Sequence, residues 1–288
     1  MLTTLDHLVI AVRDLEAATG TYANLLGRAP SWHGSHPAWG TANTLFRLSN
    51  TYLELLSPAG AGGLADGLRE HLEERGEGPY ALAFGTDDAA ACAAALRARG
   101  LPAAEPLDGS GRDAASGVER LWRNVFLRPE DTRGTWLFAI QHLSPPSLLP
   151  AAAAIGDEAA SVSGVDHAVV MTADPEGAIA LYRDQLGLRL AFDRTFAERG
   201  VRLLFFRVGG ITVELAAALA AGGSGATAAD RFWGISYRVP DVAAARARVA
   251  AAGFDVSEVR RGHKAGTQVC TVRRETHGVA TLLIGDSA

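Results

Sequence analysis

The chain has 288 residues, 48% of them hydrophobic, which is enough to bury one large core or two ordinary ones, and two domains are expected. Its net charge of −5 is spread over interspersed acids and bases with no basic stripe, which argues against nucleic acid as a partner. The two cysteines, Cys92 and Cys270, fall in different halves, the N-terminus lacks the parts of a secretory signal, and the apolar runs fall well short of the ~20 residues of a membrane helix, so a cytoplasmic protein with no membrane partner is expected.

Leu5 to Val12 is a short apolar run rich in β-branched residues and predicts a strand. Asp14 stands where an N-cap opens a helix over Leu15 to Leu26, and Gly27 closes it. Strands follow at Ser31 to His33, Ala42 to Leu48 and Tyr52 to Leu56, separated by turn residues, to complete one β-α-β-β-β module. A small helix over Asp66 to Arg75 lies in the loop to a second module, with strand Tyr80 to Thr86, cap Asp87, helix Ala89 to Arg99, and strands Arg123 to Leu127 and Trp136 to His142. Ser144 to Gly164, rich in Pro, Ala and Ser, reads as linker material, dividing the chain into domains at residues 1–146 and 164–288 about a linker at 147–163.

The third module has strand Val165 to Met171 and a helix from Asp174-Pro175 to Gly187, with the proline at the first helical position, where its missing N–H costs nothing. Its strands fall near Leu190 to Asp193, Arg202 to Val208 and Ile211 to Leu215, before a Gly/Ala-rich connector from Ala217 to Ala229. The fourth runs through strand Trp233 to Val239, cap Asp241, helix Val242 to Ala252, and strands Thr267 to Arg273 and Ala280 to Ile284.

Residues from about 5 to 55 recur without a gap at an offset of 160. Asp6-His7 answers to Asp166-His167, Tyr22 to Tyr182, Leu26-Gly27 to Leu186-Gly187, Phe46-Arg47 to Phe206-Arg207, and Glu54-Leu55 to Glu214-Leu215. A pair with chemical potential, His7 with Glu54 and His167 with Glu214, is therefore present twice at a spacing of 47.

The segments Leu5-Asp6-His7-Leu8-Val9-Ile10-Ala11-Val12, His36-Pro37-Ala38-Trp39-Gly40-Thr41 and Thr51-Tyr52-Leu53-Glu54-Leu55-Leu56 resemble the vicinal oxygen chelate superfamily and, within it, a glyoxalase-like subfamily. The superfamily includes glyoxalases, methylmalonyl-CoA epimerases, extradiol dioxygenases and fosfomycin or bleomycin resistance proteins. The resemblance implies an α+β fold in which four βαβββ modules form two half-barrel domains. It also implies a divalent metal inside a barrel, held by a His on a module's first strand and a carboxylate on its last.

By period-two alternation His7 shares a strand face with Val9 and Ala11, and Glu54 with Tyr52 and Leu56. A carboxylate among apolar neighbours is costly to bury unless a cation or donor meets it. Imidazole nitrogen with carboxylate oxygen suits Fe, Mn, Ni, Co or Zn without selecting among them; alternatively the two side chains hydrogen-bond each other, or the Glu reaches water. Counting back from Asp87 and Asp241 places the first-strand position of modules two and four on Tyr80 and Gly234, and counting to the last strands places the carboxylate position on Gln141 and Leu282. The expected ligand sets are thus His7, Glu54 and Gln141 with Tyr80 near, or, if the modules pair otherwise, His167, Glu214, Gln141 and Tyr80. Asp6 and Asp166 are expected on the opposite face, His142 away from the interior, and Cys92 packed as a small hydrophobe.

Two function classes stay open. One is a metal-dependent enzyme of the glyoxalase or epimerase type, isomerase-like or lyase-like, with Glu54 as metal ligand and proton-transfer base and Glu214 as the other carboxylate so placed. The other is a metal-free protein that sequesters a hydrophobic or aromatic compound, as resistance members of the superfamily do. Ring-cleaving dioxygenase chemistry fits less well, because Gly234 and Leu282 replace two of its ligands. The expected partner is a small-molecule substrate or ligand, with room left for a homodimer. His36, Trp39, Thr41 and Tyr80 are candidates for contacting it, and Trp32, Trp122, Trp136, Trp233 and Phe205-Phe206 for its aromatic walls or for ordinary core.

Overall fold

A computed structural model describes residues 1–219 and 229–287. The first strand, β1 (Thr4–Ala11), ends in a helix, α1 (Leu15–Leu26), whose first turn is held by the Asp14 carboxylate accepting from the Ala17 N–H. Gly27 ends the helix at a φ of 66°, a left-handed conformation that a side chain disfavours. Three strands follow, β2 (Trp32–His36), β3 (Thr41–Arg47) and β4 (Tyr52–Pro58), and then helix α2 (Gly63–Arg75). The second module comprises β5 (Gly78–Gly85), α3 (Ala89–Ala98), β6 (Leu107–Asp113), β7 (Glu119–Phe126) and β8 (Trp136–His142).

These eight strands close on themselves in the order β1-β4-β3-β2-β6-β7-β8-β5. The seam is short, joining Gly34 to Asp113 and Ser35 to Arg112 between β2 and β6. Strand β6 has no counterpart among the predicted elements, because Leu107-Asp108-Gly109-Ser110-Gly111 lacks the apolar alternation that marks a strand.

The second half holds β9 (Gly164–Thr172), a helix α4 (Pro175–Ile179) continued as a π-helix over Ala180–Gln185, then β10 (Arg189–Phe196), β11 (Val201–Val208) and β12 (Ile211–Ala218). The fourth module comprises β13 (Arg231–Arg238), α5 (Val242–Ala251), β14 (Arg260–Arg261), β15 (Thr267–Val272) and β16 (Ala280–Asp286). Its sheet, in the order β10-β11-β12-β9-β13-β16-β15-β14, stays open, and β14, at one edge, has two residues. Most of the predicted Ala217 to Ala229 connector lies outside the described residues.

One buried cluster runs from Leu5, Leu25 and Leu26 in the first half to Tyr182, Tyr237 and Leu283 in the second. Strands β5 and β13 meet across the halves, and helices add polar contacts. The Tyr22 hydroxyl of α1 donates to the Thr276 carbonyl at 3.1 Å, and Arg248 of α5 donates to the carbonyls of Asn24 and Leu25, a cation on the negative end of α1. Between the sheets Leu149, Ala152, Ala160, Ser161 and Val162 are buried, and Leu149 packs on Trp32, Leu45 and Tyr52 at one end of the barrel. No helix of the described residues is long and apolar enough to cross a membrane.

Candidate functional site

Parallel pairing of β1 with β4 sets Tyr52 beside His7 and Glu54 beside Val9, so the histidine and the carboxylate rise from neighbouring strands into the barrel. His7 Nε2 lies 3.3 Å from Glu54 Oε2, and His7 Nδ1 lies 2.7 Å from Asp6 Oδ1. Asp6 extends the chain to His142 Nε2 at 3.0 Å, and the His7 ring stacks on Tyr52 with centroids 4.4 Å apart. The other Glu54 oxygen accepts from the Asn43 amide at 2.6 Å. The Asn43 Nδ2 that meets it is also 3.3 Å from His36 Nε2, while His36 Nδ1 meets the Thr41 hydroxyl at 2.9 Å. An amide donor on Nε2 makes that nitrogen the acceptor, so the His36 proton is assigned to Nδ1.

Burial works against charge on His7, but hydrogen bonds that it donates to the Asp6 and Glu54 carboxylates outweigh it and hold the imidazole up to about 9. Burial also favours the neutral form of Glu54, yet the hydrogen bond and charge of His7, followed by His36 and Asn43, bring its carboxyl below the usual range. Asp6 is lowered against burial by His142 and His7. Near neutral pH the cluster is therefore an imidazolium between two carboxylates. Burial pulls His36 the other way, below the ordinary histidine value, with Glu54 opposing and Arg120 and His7 assisting.

Around this cluster lies a cavity with about 680 Å³ of empty space, including its mouth. Trp32, Trp39, Trp122, Trp136, Phe126 and Phe138 form most of its wall, and Arg120 and Asn124 enter from the inner face of β7. Glycines make room for the indoles. A Cβ on Gly109 would stand 2.4 Å from Trp122 Nε1, and one on Gly34 would stand 2.1 Å from Trp32 Nε1. Among the described residues the Oδ1 atoms of Asn43 and Asn124 are buried without a hydrogen-bond partner, as is typical of groups that meet a water or ligand donor.

His36, Trp39 and Tyr80 line the cavity as expected from the sequence, and Thr41 acts one step back by holding the His36 ring. Gln141 does not reach it. Its Oε1 accepts from the Ala89 N–H at 3.0 Å and its Nε2 donates to the Asp87 carbonyl at 2.9 Å, at the start of α3. Asp88, not Asp87, caps α3, and Gln141 lies three residues beyond the position that strand pairing sets against Ala83, an odd offset that turns it to the other face of β8. Counted from Asp88, the His7 position of module two falls on Ala81. The Glu54 position falls on Phe138, which pairs with Ala83 as Glu54 pairs with Val9. Neither Asp6 nor His142 lines the cavity; Asp6 orients His7, and His142 meets Asp6.

In the second half His167 Nε2 is 3.7 Å from Glu214 Oε2, Asp166 meets His167 Nδ1 at 3.0 Å, and Ser236 Oγ lies 2.8 Å from His167 Nε2. Here burial raises the Glu214 carboxyl, with His167 opposing and Asp166 adding to the rise. Phe205 faces this pair beside Glu214, Phe206 is core against Tyr182, and Trp233 is 48% exposed. Asn43, Arg120 and Asn124 escaped the sequence reading because the repeat does not mark them: Asn43 answers to Leu203 at the offset of 160, and the other two lie outside the repeated stretch.

The family described as glyoxalase-like domain matches residues 5–164, and the glyoxalase/bleomycin resistance protein/dioxygenase superfamily matches residues 166–271. The chain belongs to the vicinal oxygen chelate superfamily. A relative named ethylmalonyl-CoA/methylmalonyl-CoA epimerase, from Cereibacter sphaeroides, is 34% identical over 137 residues, 46% of this chain and 94% of its own. Among solved structures, a triple variant of 4-hydroxymandelate synthase from Streptomyces coelicolor superposes with a TM-score of 0.70 at 15% identity, covering 100% of this chain and 94% of that one. A hypothetical protein from Staphylococcus aureus gives 0.65 at 10% identity, covering 97% and 98%. Both likenesses speak to the fold alone.

Vicinal oxygen chelate membership implies a divalent metal, and the donors in the cavity can be tested against one. Among the described residues no three His, Cys, Asp or Glu side chains converge as a metal site. Catalytic zinc sites, for comparison, take three protein ligands. In this barrel module one brings His7 and Glu54, already paired with each other, while Ala81 and Phe138 stand at the matching positions of module two. The donor set does not fit a metal held by the chain alone.

Proposed function

We propose that the first-half barrel is the working site and that it moves a proton on a small oxygenated organic molecule, an isomerase-type reaction with Glu54 as base and His7 as its charged partner. The observation that carries this reading is the enclosure of the His7–Glu54 pair by the aromatic cavity. A relative named as an epimerase supports the reaction type.

The two charges quench each other across 3.3 Å, longer than the 2.7–2.9 Å usual for a charge-assisted bond. A substrate carbonyl that takes the His7 Nε2 proton as its hydrogen-bond partner separates them. Glu54 then loses the neighbour that most lowers its proton affinity and becomes a stronger base. It accepts the proton from the carbon beside the carbonyl, the electron pair moves to the carbonyl oxygen, and the His7 N–H stabilises the charge that develops there. Return of the proton from Glu54 to the adjoining carbon on the same face completes the isomerisation. Asp6 keeps the imidazole protonated and aligned throughout.

The test is hydrogen–deuterium exchange at carbon, followed by NMR in D₂O across a panel of 2-oxo acids and related carbonyl compounds, with protein treated with a chelator. Glu54→Gln should lower exchange by about 10²-fold or more, whereas Glu214→Gln should change it by less than about threefold. The reverse order would move the site to the second sheet. Tight binding without exchange by wild-type protein would favour the second reading, capture of an aromatic compound without turnover, which the aromatic walls also support.

A further inference from the structure

We propose that Arg120 anchors a carboxylate, so that the cavity takes an organic acid with an aromatic or similarly bulky apolar body; this rests on the reading of the first-half barrel as the working site. Arg120 lies on the inner face of β7, is 7% exposed and lines the cavity. Its guanidinium carbon lies 5.5 Å from the Trp32 ring centre and 5.8 Å from that of Tyr52. Among the described residues it forms no ion pair, whereas the buried Arg28 and the part-buried Arg133 and Arg202 all do. Arginine stays charged under all ordinary conditions, and a buried cation without an anion is costly, so an anion is the partner this position lacks.

The Trp32 ring face satisfies none of the guanidinium's five N–H donors, and Tyr52, which meets Arg120 through its neutral hydroxyl, supplies no countercharge. A carboxylate matches that fork with two parallel hydrogen bonds. Tyr52 also stacks on His7, so the anchor stands one ring away from the His7–Glu54 pair. An acid held at Arg120 therefore presents the atoms next to its carboxylate toward that pair. The rest of the ligand meets Trp122 and Phe126, further along the inner face of β7. Asn124, between those two rings, offers its unpartnered Oδ1 to a hydroxyl on the ligand.

Binding of two probes of nearly the same shape, phenylacetate and phenylacetamide, tests the anchor by quenching of the cavity tryptophan fluorescence. Wild-type protein should bind the acid at least about tenfold more tightly than the amide. Arg120→Met, which keeps length and removes charge, should abolish that preference by weakening the acid far more than the amide, and Arg120→Lys should restore part of it. The melting temperature of Arg120→Met should stay the same or rise, because an unpaired buried charge has been removed. A fall in melting temperature with the acid preference intact would make Arg120 a structural cap on Tyr52 and overturn the inference. Equal affinity of wild-type protein for both probes would remove the anchor and leave the cavity reading standing, whereas binding of neither would remove both.

Discussion

The same His–Glu pair sits in two halves that treat it oppositely. In the first, eight strands close, and Glu54 lies in a barrel where histidine charge and an Asn43 hydrogen bond overcome burial and lower its carboxyl. In the second, the sheet stays open, and burial prevails over His167 to raise that of Glu214. The repeat of sequence conserved the pair, and closure decided its environment. Closure in turn depends on β6, the strand that carries the glycines against which the indoles pack, and on two residue pairs at its seam with β2.

Opening that seam should therefore make the first half resemble the second. A Cβ on Gly34 would stand 2.1 Å from Trp32 Nε1 and 2.8 Å from the Arg112 carbonyl oxygen across the seam. Gly34→Val should destabilise the protein by about 1–3 kcal/mol, as overpacking commonly does, and lower phenylacetate affinity by more than about tenfold. Urea unfolding and tryptophan quenching measure the two effects. Normal binding in the variant would show that the cavity does not need the closed seam.

Changing pH probes the difference between the two carboxylates without any substitution. Glu54 is lowered and Glu214 raised from the same ordinary value, so as pH falls Glu214 should take up its proton first. Carbon NMR of the labelled carboxyls reads the order directly. At the alkaline end His7 dominates. Its folded-state value of about 9 lies above the ordinary 6.5, so the stabilisation it contributes is fully present below about 6.5 and is lost as pH rises through about 9. Proton-transfer activity should fall over the same alkaline range as the imidazolium disappears. In His7→Gln the slope of stability against pH between those values should be shallower, and an unchanged slope would mean that His7 is not held charged.

Much of the fold was legible because hydrophobic alternation, four capped helices and an unbroken repeat all gave the same modules. Asp14, Asp174 and Asp241 cap their helices where the sequence places them. The site was half legible. His7 and Glu54 carry the repeat, but Asn43, Arg120 and Asn124 belong to one barrel only, and their inward direction depends on strand register. Register was also what misled the reading of module two: Asp87-Asp88 offers two adjacent caps, and Gln141 lies three residues past Phe138, the position that pairing with Ala83 sets opposite the pair.

Gln141→Leu separates those two placements with the smallest expected effect. At the corresponding point of the second half β16 has Gly285, where a Cβ would stand 2.5 Å from the Val239 carbonyl oxygen, and α5 begins with two N–H groups donating to Asp241 alone. Helix α3 has a weaker start, with one N–H on Asp88, and Gln141 supplies a second acceptor at Ala89 while tying its amide to the Asp87 carbonyl. Leucine removes both hydrogen bonds at a partly exposed position. The expected cost is about 0.5–1.5 kcal/mol per bond at most, partly recovered from water. A modest drop in melting temperature with phenylacetate affinity unchanged is the predicted result. Loss of cavity binding with the fold intact would return Gln141 to the site and invalidate the register that puts Phe138 there.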